Sequence, residues 1–500
     1  MFRKILVANR GEIAVRIVRC LREMGIRSVA VFSKADRTAP HVQMADEAIC
    51  IGAASSSQSY LNGERIIEMA RQTGAEAIHP GYGFLSENAG FARSCDNAGI
   101  KFIGPPWQAI EQMGSKTAAR RIAIGVGAPV VPGTEHGIRD YEEARLRASE
   151  IGYPVLLKAA AGGGGKGMRR VDGENELAAA MRDASSEAER SFGSGEVYLE
   201  KLIERPRHIE VQVLGDEHGN LIHLGERECS IQRRHQKVIE ECPSPLVLDN
   251  PGLREKIGEA AVRIARAVNY ANAGTMEFLA DQSGHFYFLE MNTRLQVEHP
   301  VTEWVTGIDL VRRQIHIAAG EKLTLRQQDI RWTGSAIECR VYAEDPDNNF
   351  FPSPGTISQY VEPAGPGIRV DGGVYSGWAV PIEYDPLLAK LSVWDESRAT
   401  AIERMRRAVS EYCILGITTN LRLFEEIFAS AAFKAGTLDT GFLDRFMKER
   451  PAGPADPTSL IAAILAAAAS TGEQHPQSSR TIDNGSPALW RTLGRRELLR

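Results

Sequence analysis

The chain has 500 residues, of which 43% are hydrophobic and 25% charged, and its formal net charge is −5 at pH 7. These values are typical of a folded globular protein with a large core; they exclude a disordered chain and disfavour a nucleic-acid-binding protein. The length suggests about three domains of ~150 residues each.

The first predicted elements alternate between strands and a helix. Lys4–Ala8 and Val29–Phe32 are apolar runs typical of buried strands, and between them apolar residues recur at helical spacing up to Gly25. This order predicts a parallel α/β, Rossmann-like domain over residues 1–114. The Gly-x-Gly-x-x-Gly sequence is absent from this N-terminal unit, which disfavours a dinucleotide ligand.

A glycine-rich segment follows a predicted strand that ends at Lys158. Residues 162–165 and 167 are glycines, and Lys166 lies among them. Glycine lets backbone N–H groups approach a polyphosphate closely and the lysines add positive charge, so the segment predicts a nucleotide-phosphate site. A flexible linker is the alternative interpretation. A Walker A loop is excluded because Gly167 stands where that motif needs Ser or Thr.

Basic residues and a histidine cluster over Arg227–Lys237. A solvated face or a nucleic-acid patch would share this composition. The negative net charge and the lack of interleaved aromatic residues favour a small anion as the ligand instead.

Two strand-like runs, Met276–Leu279 and Phe286–Leu289, predict a hairpin. A two-residue loop at Ser283–Gly284 would place Glu277 directly opposite Glu290. Facing carboxylates repel each other, and a bridging divalent cation such as Mg²⁺ removes that cost. An exposed edge hairpin with solvated acids is the alternative.

The segment after this hairpin continues the pattern. A strand period of two places Glu290, Asn292 and Arg294 on one face, and Glu298 follows four residues beyond Arg294. A carboxylate, an amide oxygen and a guanidinium that project together predict a site for a metal ion and an anion.

The C-terminal part divides into two predicted segments. Residues 331–446 contain frequent Gly and Pro and strand-like runs, which predicts a mixed or antiparallel domain. Residues 447–500 predict a linker, a short apolar helix at Ser459–Ala469 and a basic tail. The helix is too short to span a membrane. The tail is interpreted either as frayed or as a docking element for a partner protein.

Seven cysteines are present, without a Cys-x-x-Cys pair. The odd number argues against a disulfide framework and favours a reducing compartment. Met1 leads directly into a strand with no signal peptide, so we expect a cytoplasmic protein without a membrane segment.

Several ordered motifs resemble the biotin carboxylase family, the ATP-grasp component of acetyl-CoA carboxylase and related acyl-CoA or pyruvate carboxylases. The resemblance spans roughly residues 2–446. The matching stretches are Ala8–Ile13, His79–Asn88, Met113–Lys116, Lys158–Met168, Gln232–Val238, Glu290–Thr302 and Glu338–Arg340.

The resemblance implies a role for individual residues. The implied ATP-binding residues are Lys116, Lys158, Gly164, Gly165, Glu200, Lys201, Leu202, Ile203, His208 and His235. The implied metal ligands are Glu277, Glu290 and Asn292. The residues implied around bicarbonate are Lys237, Arg294, Gln296, Val297 and Glu298, and Arg340 would face biotin. The implied catalytic residues are Lys237, Arg294, Glu298 and Arg340.

The resemblance also implies an organisation and an activity. Residues 115–330 would form an ATP-grasp domain, with a mobile lid at about 131–203, and residues 331–446 a closing domain. The expected reaction is carboxylation of carrier-bound biotin with ATP, bicarbonate and Mg²⁺ or Mn²⁺. A homodimer, a separate biotin carboxyl carrier protein and separate carboxyltransferase subunits are expected partners. The alternatives are another carboxyphosphate-forming ATP-grasp ligase and a catalytically dead ATP-sensing module.

Overall fold

A computed structural model describes residues 1–134, 136–159, 168–192 and 195–450. The structure falls into two units, Met1–Lys448 and Glu449–Arg500, and the description below concerns the first. The predicted apolar helix and basic tail, and Gly164 and Gly165, lie outside the described residues. None of the helices within these ranges is long and apolar enough to cross a bilayer.

The N-terminal part is a parallel sheet covered by helices. Its elements are β1 (Lys4–Val7), α1 (Gly11–Glu23), β2 (Arg27–Ser33), α2 (Pro40–Met44), β3 (Glu47–Gly52), α3 (Gly63–Thr73), β4 (Ala77–His79), α4 (Ala89–Asn97), β5 (Lys101–Phe102) and α5 (Trp107–Gly114). All neighbouring strands are parallel, in the order β3-β2-β1-β4-β5. The predicted parallel α/β unit is confirmed. Helix α1 stops just before Gly25, whose φ of +69° is a left-handed conformation that glycine adopts readily.

A small three-stranded sheet follows, with its own helices. Its elements are α6 (Lys116–Gly125), α7 (Tyr141–Ile151), β6 (Val155–Ala159), β7 (Arg169–Val171), α8 (Glu174–Phe192) and β8 (Val197–Lys201). The strand order is β7-β6-β8, with both pairs antiparallel. Leu157 and Leu199 from the strands pack with Leu177 from α8 in a separate apolar cluster. This separate core is compatible with a sheet that moves as one body, and the lid at about 131–203 stays a prediction.

The largest sheet has eight strands and includes the C-terminal elements. The remaining elements are β9 (Arg207–Gly215), β10 (Leu221–Arg233), β11 (Gln236–Cys242), α9 (Pro245–Asp249), α10 (Leu253–Ala267), β12 (Asn272–Ala280), β13 (Phe286–Asn292), α11 (His299–Thr306), α12 (Leu310–Ala318), β14 (Ser335–Tyr342), β15 (Glu344–Asp345), β16 (Phe351–Pro352), β17 (Gln359–Val361), β18 (Ile368–Gly372), β19 (Leu387–Asp395), α13 (Arg398–Glu411), β20 (Cys413–Leu415), α14 (Leu421–Ala429), α15 (Ala431–Lys434) and α16 (Phe442–Glu449).

The order of this sheet is β13-β12-β9-β10-β11-β14-β19-β18, and every neighbouring pair is antiparallel. The sheet therefore continues across position 330, because β14 pairs with β11. The predicted antiparallel character of the C-terminal region is confirmed. The domain boundaries at 114, 330 and 446 stay predictions.

The predicted β12–β13 hairpin has the expected pair but a different loop. Glu277 faces Glu290, as the sequence predicts. The two-residue loop at Ser283–Gly284 is wrong, since the Asp281 N–H donates to the His285 carbonyl at 2.9 Å and leaves three residues in the turn. A β-bulge after Glu277 shifts the register by one residue and restores the Glu277–Glu290 pair.

Glu12 is a buried acid in the first turn of α1, and it links this helix to β19. Among the described residues its ion-pair partner is Lys390, at 3.5 Å, and neither of its carboxylate oxygens accepts a hydrogen bond from them. Burial raises the pKa of Glu12 from 4.5 to about 7, although Lys390 partly opposes the shift. Between these two pKa values the unfolded chain loses its proton while the folded chain keeps it, so stability declines as pH rises through this window.

We expect Glu12→Gln to increase the free energy of unfolding at pH 8 by up to about 3 kcal/mol, at ~1.4 kcal/mol per unit of pKa shift. The gain should shrink towards pH 5, where the folded wild type is neutral at this position. Urea unfolding at pH 5 and pH 8 measures the difference. Glu64→Gln, at an exposed site in α3, is the control and should give no pH-dependent gain. An equal gain at both pH values would contradict the prediction.

Candidate active site

Strands β12 and β13 present two acids side by side at the edge of the large sheet. Glu277 is buried, and its Oε1 accepts hydrogen bonds from Lys237, Asn292 and Gln296, each at 2.8 Å. Burial opposes its ionisation, but Lys237 and His208 outweigh burial and hold the pKa of Glu277 well below its ordinary value. Glu277 is therefore ionised at neutral pH.

Glu290 is less well compensated than its neighbour. The only ion pair of Glu290 among the described residues is with Lys116, at 3.7 Å. Burial and the facing charge of Glu277 raise the pKa of Glu290. Two close carboxylates with one weak cationic partner fit a divalent cation, which would remove their repulsion. The Oδ1 of Asn292 accepts from Arg294 at 3.0 Å and retains a second lone pair for a ligand.

Lys237 connects this acidic pair to the rest of the site. Its ammonium group donates to Glu210, to Glu277 at 2.8 Å and to Glu298 at 2.6 Å, which uses all three N–H donors. Burial alone would favour neutral lysine, but the surrounding carboxylates raise the pKa of Lys237 well above its ordinary value. One buried cation thus ties together the carboxylates predicted for metal and bicarbonate.

Glu298 lies between two cations. Its Oε1 accepts from Lys237 and its Oε2 accepts from Arg340 at 3.0 Å. Burial opposes ionisation, yet these two cations hold the pKa of Glu298 well below its ordinary value. Arg340 in turn donates from Nε to Glu240 at 2.6 Å. The predicted general base is therefore a carboxylate in direct contact with the residue predicted to face biotin.

The loop before α11 brings the remaining predicted anion-binding residues together. Arg294 donates from Nε to Glu87 at 2.8 Å, and the Thr293 N–H donates to the same carboxylate at 2.9 Å. The Val297 carbonyl accepts from Lys390 at 2.7 Å. Both the N-terminal part and β19 thus hold this loop from outside.

Most of the predicted nucleotide residues within the described ranges lie on or directly after β6, β8 and β9, while Lys116 begins α6. Lys158 forms an ion pair with Glu200 across the β6–β8 pair, and Lys201 donates to the carbonyls of Gly152 and Tyr153, each at 2.9 Å. Leu202 and Ile203 help to line a cavity of about 430 Å³ that also touches Asp439 and Arg445.

The two predicted nucleotide histidines lie in different environments. His208 is buried, with its Nε2 at 3.2 Å from Glu277, so it belongs with the acidic pair. His235 is exposed in the β10–β11 turn, where its φ is +66°. The structure therefore joins His208 to the predicted metal ligands and leaves His235 apart from them.

Three residues of the site carry no role in the sequence analysis: Glu87, Glu210 and Arg227. Glu210 accepts hydrogen bonds from Lys237 and Arg227, and Glu87 accepts one from Arg294. One signal for Glu210 was available, because polar residues alternate with Ile209 and Val211 in an otherwise apolar run. Arg227 lies in the basic cluster, but nothing local distinguishes it from the exposed arginine at 234.

Comparison with known proteins covers nearly all of the described chain. Residues 1–110 match the family "Biotin carboxylase, N-terminal domain" and residues 338–445 match the "Biotin carboxylase C-terminal domain". Between them, residues 115–326 match the "Carbamoyl-phosphate synthase L chain, ATP binding domain". The chain belongs to the biotin carboxylase family.

Individual relatives agree with this family. The biotin carboxylase of Nostoc sp. is 54% identical over 447 residues, which are 89% of this chain and 100% of that protein. A pyruvate carboxylase subunit of Methanothermobacter thermautotrophicus is 54% identical over 448 residues, 90% of this chain and 91% of that protein.

A solved structure shows the same fold. It is the biotin carboxylase domain dimer of Hydrogenobacter thermophilus 2-oxoglutarate carboxylase, in complex with MgADP, ADP and bicarbonate. It is 51% identical to this chain, covers 89% of this chain and 98% of its own, and superposes with a TM-score of 0.83.

Proposed function

We propose that this chain carboxylates biotin on a carrier protein, using ATP and bicarbonate through carboxyphosphate. The observation that supports this most directly is the contact between Lys237 and Glu298 at the centre of the site. Lys237 joins Glu298 to the acidic pair suited to a metal, while Arg340 contacts the other oxygen of Glu298. A phosphoryl-transfer side and a biotin side therefore meet at one carboxylate.

On the phosphoryl-transfer side, we assign the nucleotide phosphates to Lys116, Lys158 and the glycine segment with Gly164 and Gly165. Glu277, Glu290 and Asn292 would hold Mg²⁺ or Mn²⁺, which supplies charge neutralisation on the transferring phosphoryl group. Residues Glu200, Lys201, Leu202, Ile203, His208 and His235 are proposed to complete the nucleotide site.

On the bicarbonate side, Lys237 and Arg294 would offset the negative charge of the substrate. Gln296 and the Val297 backbone would complete the pocket. Glu298 would take the proton of bicarbonate as the general base. Its pKa is low while Lys237 and Arg340 both contact it. A bicarbonate ion that engages Lys237 reduces this stabilisation and brings another negative charge close, and both effects increase the proton affinity of Glu298.

Carboxyphosphate reacts readily with water, so closure of a lid formed by residues of about 131–203 would protect it. Arg340 would then stabilise negative charge on the ureido oxygen of biotin, while released phosphate accepts the biotin proton. The contacts of Arg340 with Glu240 and Glu298 support this assignment, because they hold the guanidinium beside the proposed base.

We propose that the carrier protein and the carboxyltransferase are separate chains, and that this chain forms a homodimer. The Methanothermobacter relative, which is named as one subunit of its enzyme, and the dimer of the Hydrogenobacter structure support these proposals. An acyl-CoA such as acetyl-CoA, in fatty acid biosynthesis, is our proposed acceptor class. Some relatives are named for pyruvate or 2-oxoglutarate, so these two acceptors should be tested beside acetyl-CoA. All seven cysteines are free, which supports a reducing, cytoplasmic location.

Two other functions have less support. Another carboxyphosphate-forming ligase would share the ATP-binding domain but not the biotin carboxylase domains on both sides of it. A dead ATP sensor would have no need for the buried Lys237–Glu298–Arg340 cluster, since nucleotide binding alone requires none of these residues. Biotin carboxylation accounts for both the flanking domains and the cluster.

Purified protein should release ADP from ATP only when bicarbonate is present, and free biotin should increase the rate. It should carry no covalent biotin, and it should not carboxylate acetyl-CoA, pyruvate or 2-oxoglutarate without added subunits. Coupled ADP assays with and without bicarbonate, together with intact mass, measure these properties. A rate of ADP release that does not depend on bicarbonate, or a biotinylated lysine, would contradict the proposal.

A further inference from the structure

Arg227 is a fully buried arginine behind the proposed bicarbonate site. It lies in the middle of β10, directly opposite Glu210 on β9. Its Nε donates to Glu210, and one terminal nitrogen donates to Gln212 at 2.8 Å and Thr302 at 3.0 Å. All five N–H donors of an arginine are engaged once the other terminal nitrogen is included.

That other terminal nitrogen, Nη2, donates to Thr275 at 3.1 Å and to the Oε1 of Gln296 at 2.9 Å. Since the oxygen of Gln296 faces Arg227, its amide nitrogen must point the other way. It donates to Glu277 at 2.8 Å. Arg227 thus fixes which end of the Gln296 amide faces the acidic pair.

Arg227 also acts on Lys237 through Glu210. The two oxygens of Glu210 are divided between these cations, Oε1 to Arg227 and Oε2 to Lys237. The guanidinium therefore reaches two residues that we assign to bicarbonate, Gln296 directly and Lys237 through one carboxylate.

We propose that Arg227 is a positioning residue that sets the geometry of the bicarbonate pocket by holding Gln296 and, through Glu210, Lys237. The inference rests on the proposed function, since it takes bicarbonate as the ligand of that pocket. The planar fork of arginine is essential to this role. Lysine supplies one compact charge with three donors and cannot contact β9, β12, α11 and the Gln296 loop together.

A purely structural arginine would have a different signature. Arg398 is such a case: it binds Glu241 and the carbonyls of Phe433 and Lys434, away from the site. Loss of a structural ion pair decreases stability but leaves substrate affinities in the remaining folded protein unchanged. Loss of a positioning residue changes the affinity for one substrate selectively.

The test compares Arg227→Lys with Arg398→Lys in the full chain. Arg227→Lys should raise the KM for bicarbonate at least about tenfold and change the KM for ATP by less than about twofold. Arg398→Lys should change neither KM. Thr275→Val, which removes one acceptor of the same guanidinium nitrogen, is a milder variant and should raise the bicarbonate KM by about two- to fivefold. It provides the answer if Arg227→Lys does not fold.

A double-mutant cycle with Gln296→Ala tests the route of action. If Arg227 acts through Gln296, the bicarbonate KM of the double variant should increase by clearly less than the product of the increases in the two single variants. Independent effects that multiply fully would overturn this route. Equal increases in the KM for ATP and for bicarbonate would overturn the positioning role itself.

A binding measurement separates this inference from the proposed function. The bicarbonate concentration that half-maximally protects each variant against thermal unfolding is measured with MgADP present. If wild-type protein binds bicarbonate without cleaving ATP, the proposed function fails. The positioning role then stands or falls on whether Arg227→Lys weakens that protection. If bicarbonate gives no protection and no turnover, both proposals are wrong.

Discussion

Replacing Glu298 by Gln should lower bicarbonate-dependent ATP cleavage at least about a hundredfold, the range expected when a general base is lost. Glutamine keeps the shape of the side chain but cannot accept the proton of bicarbonate. It also leaves the charges of Lys237 and Arg340 without a carboxylate that both now contact. ADP release at saturating bicarbonate measures the loss, and ADP binding should remain because no nucleotide residue is changed.

Arg340→Ala provides the contrast. Its guanidinium lies on the far side of Glu298 from Lys237, so we expect it to keep slow, biotin-independent ATP cleavage and to lose carboxybiotin formation. Glu241→Gln serves as the control. Glu241 is a different buried carboxylate, which lies on β11 and pairs with Arg398, so this variant should retain both activities. Equal loss of ATP cleavage in the Glu298 and Arg340 variants, with normal nucleotide binding, would show that the two half-reactions are not divided as proposed.

Replacing Glu290 by Gln should weaken metal-dependent ATP turnover at least about tenfold, equivalent to ~1.4 kcal/mol of lost stabilisation. Glu290 faces Glu277, and its only ion-pair partner among the described residues is Lys116 at 3.7 Å, so its charge is available to a divalent ion. Glutamine removes that charge while preserving the hairpin. The effect should be largest at limiting Mg²⁺ and should diminish as the Mg²⁺ concentration rises.

A titration of ATP turnover against Mg²⁺ measures this effect, and Glu277→Gln should behave similarly. Glu217→Gln is the matched control, because Glu217 is a partly exposed acid paired with Lys101 and distant in the sequence from the hairpin. Wild-type turnover of the Glu290 variant at limiting Mg²⁺ would mean that this acid does not bind the metal used in the reaction.

The sequence predicts those parts of the site that depend on local patterns. The parallel N-terminal sheet follows from apolar periodicity, and the facing pair of Glu277 and Glu290 follows from two strands close together in the chain. The predicted loop was wrong because a bulge, which has no clear sequence signature here, compensates for a longer turn. The predicted pairing was right because the one extra residue of the bulge offsets the one extra residue of the turn.

Contacts between distant parts of the chain could not be predicted in this way. Glu87 meets Arg294 across 207 residues of sequence, and Arg227 meets Gln296 across 69. Such pairs depend on which strands become neighbours and how the loop before α11 packs on them. The family resemblance implied the residues at the centre of the site, but not the buried residues that hold them in position.

The pairing of β11 with β14 has a consequence for how the protein could be divided. Cutting the chain near 330 would separate these strands and leave each with a row of unpaired backbone N–H and C=O groups. Open edges of this kind recruit other strands, so both fragments would be prone to self-association. The same pairing holds Arg340 on β14 near Glu240 on β11. The residues that we propose for the two half-reactions therefore lie on one continuous sheet, and we expect that they could not be exchanged between proteins as independent modules.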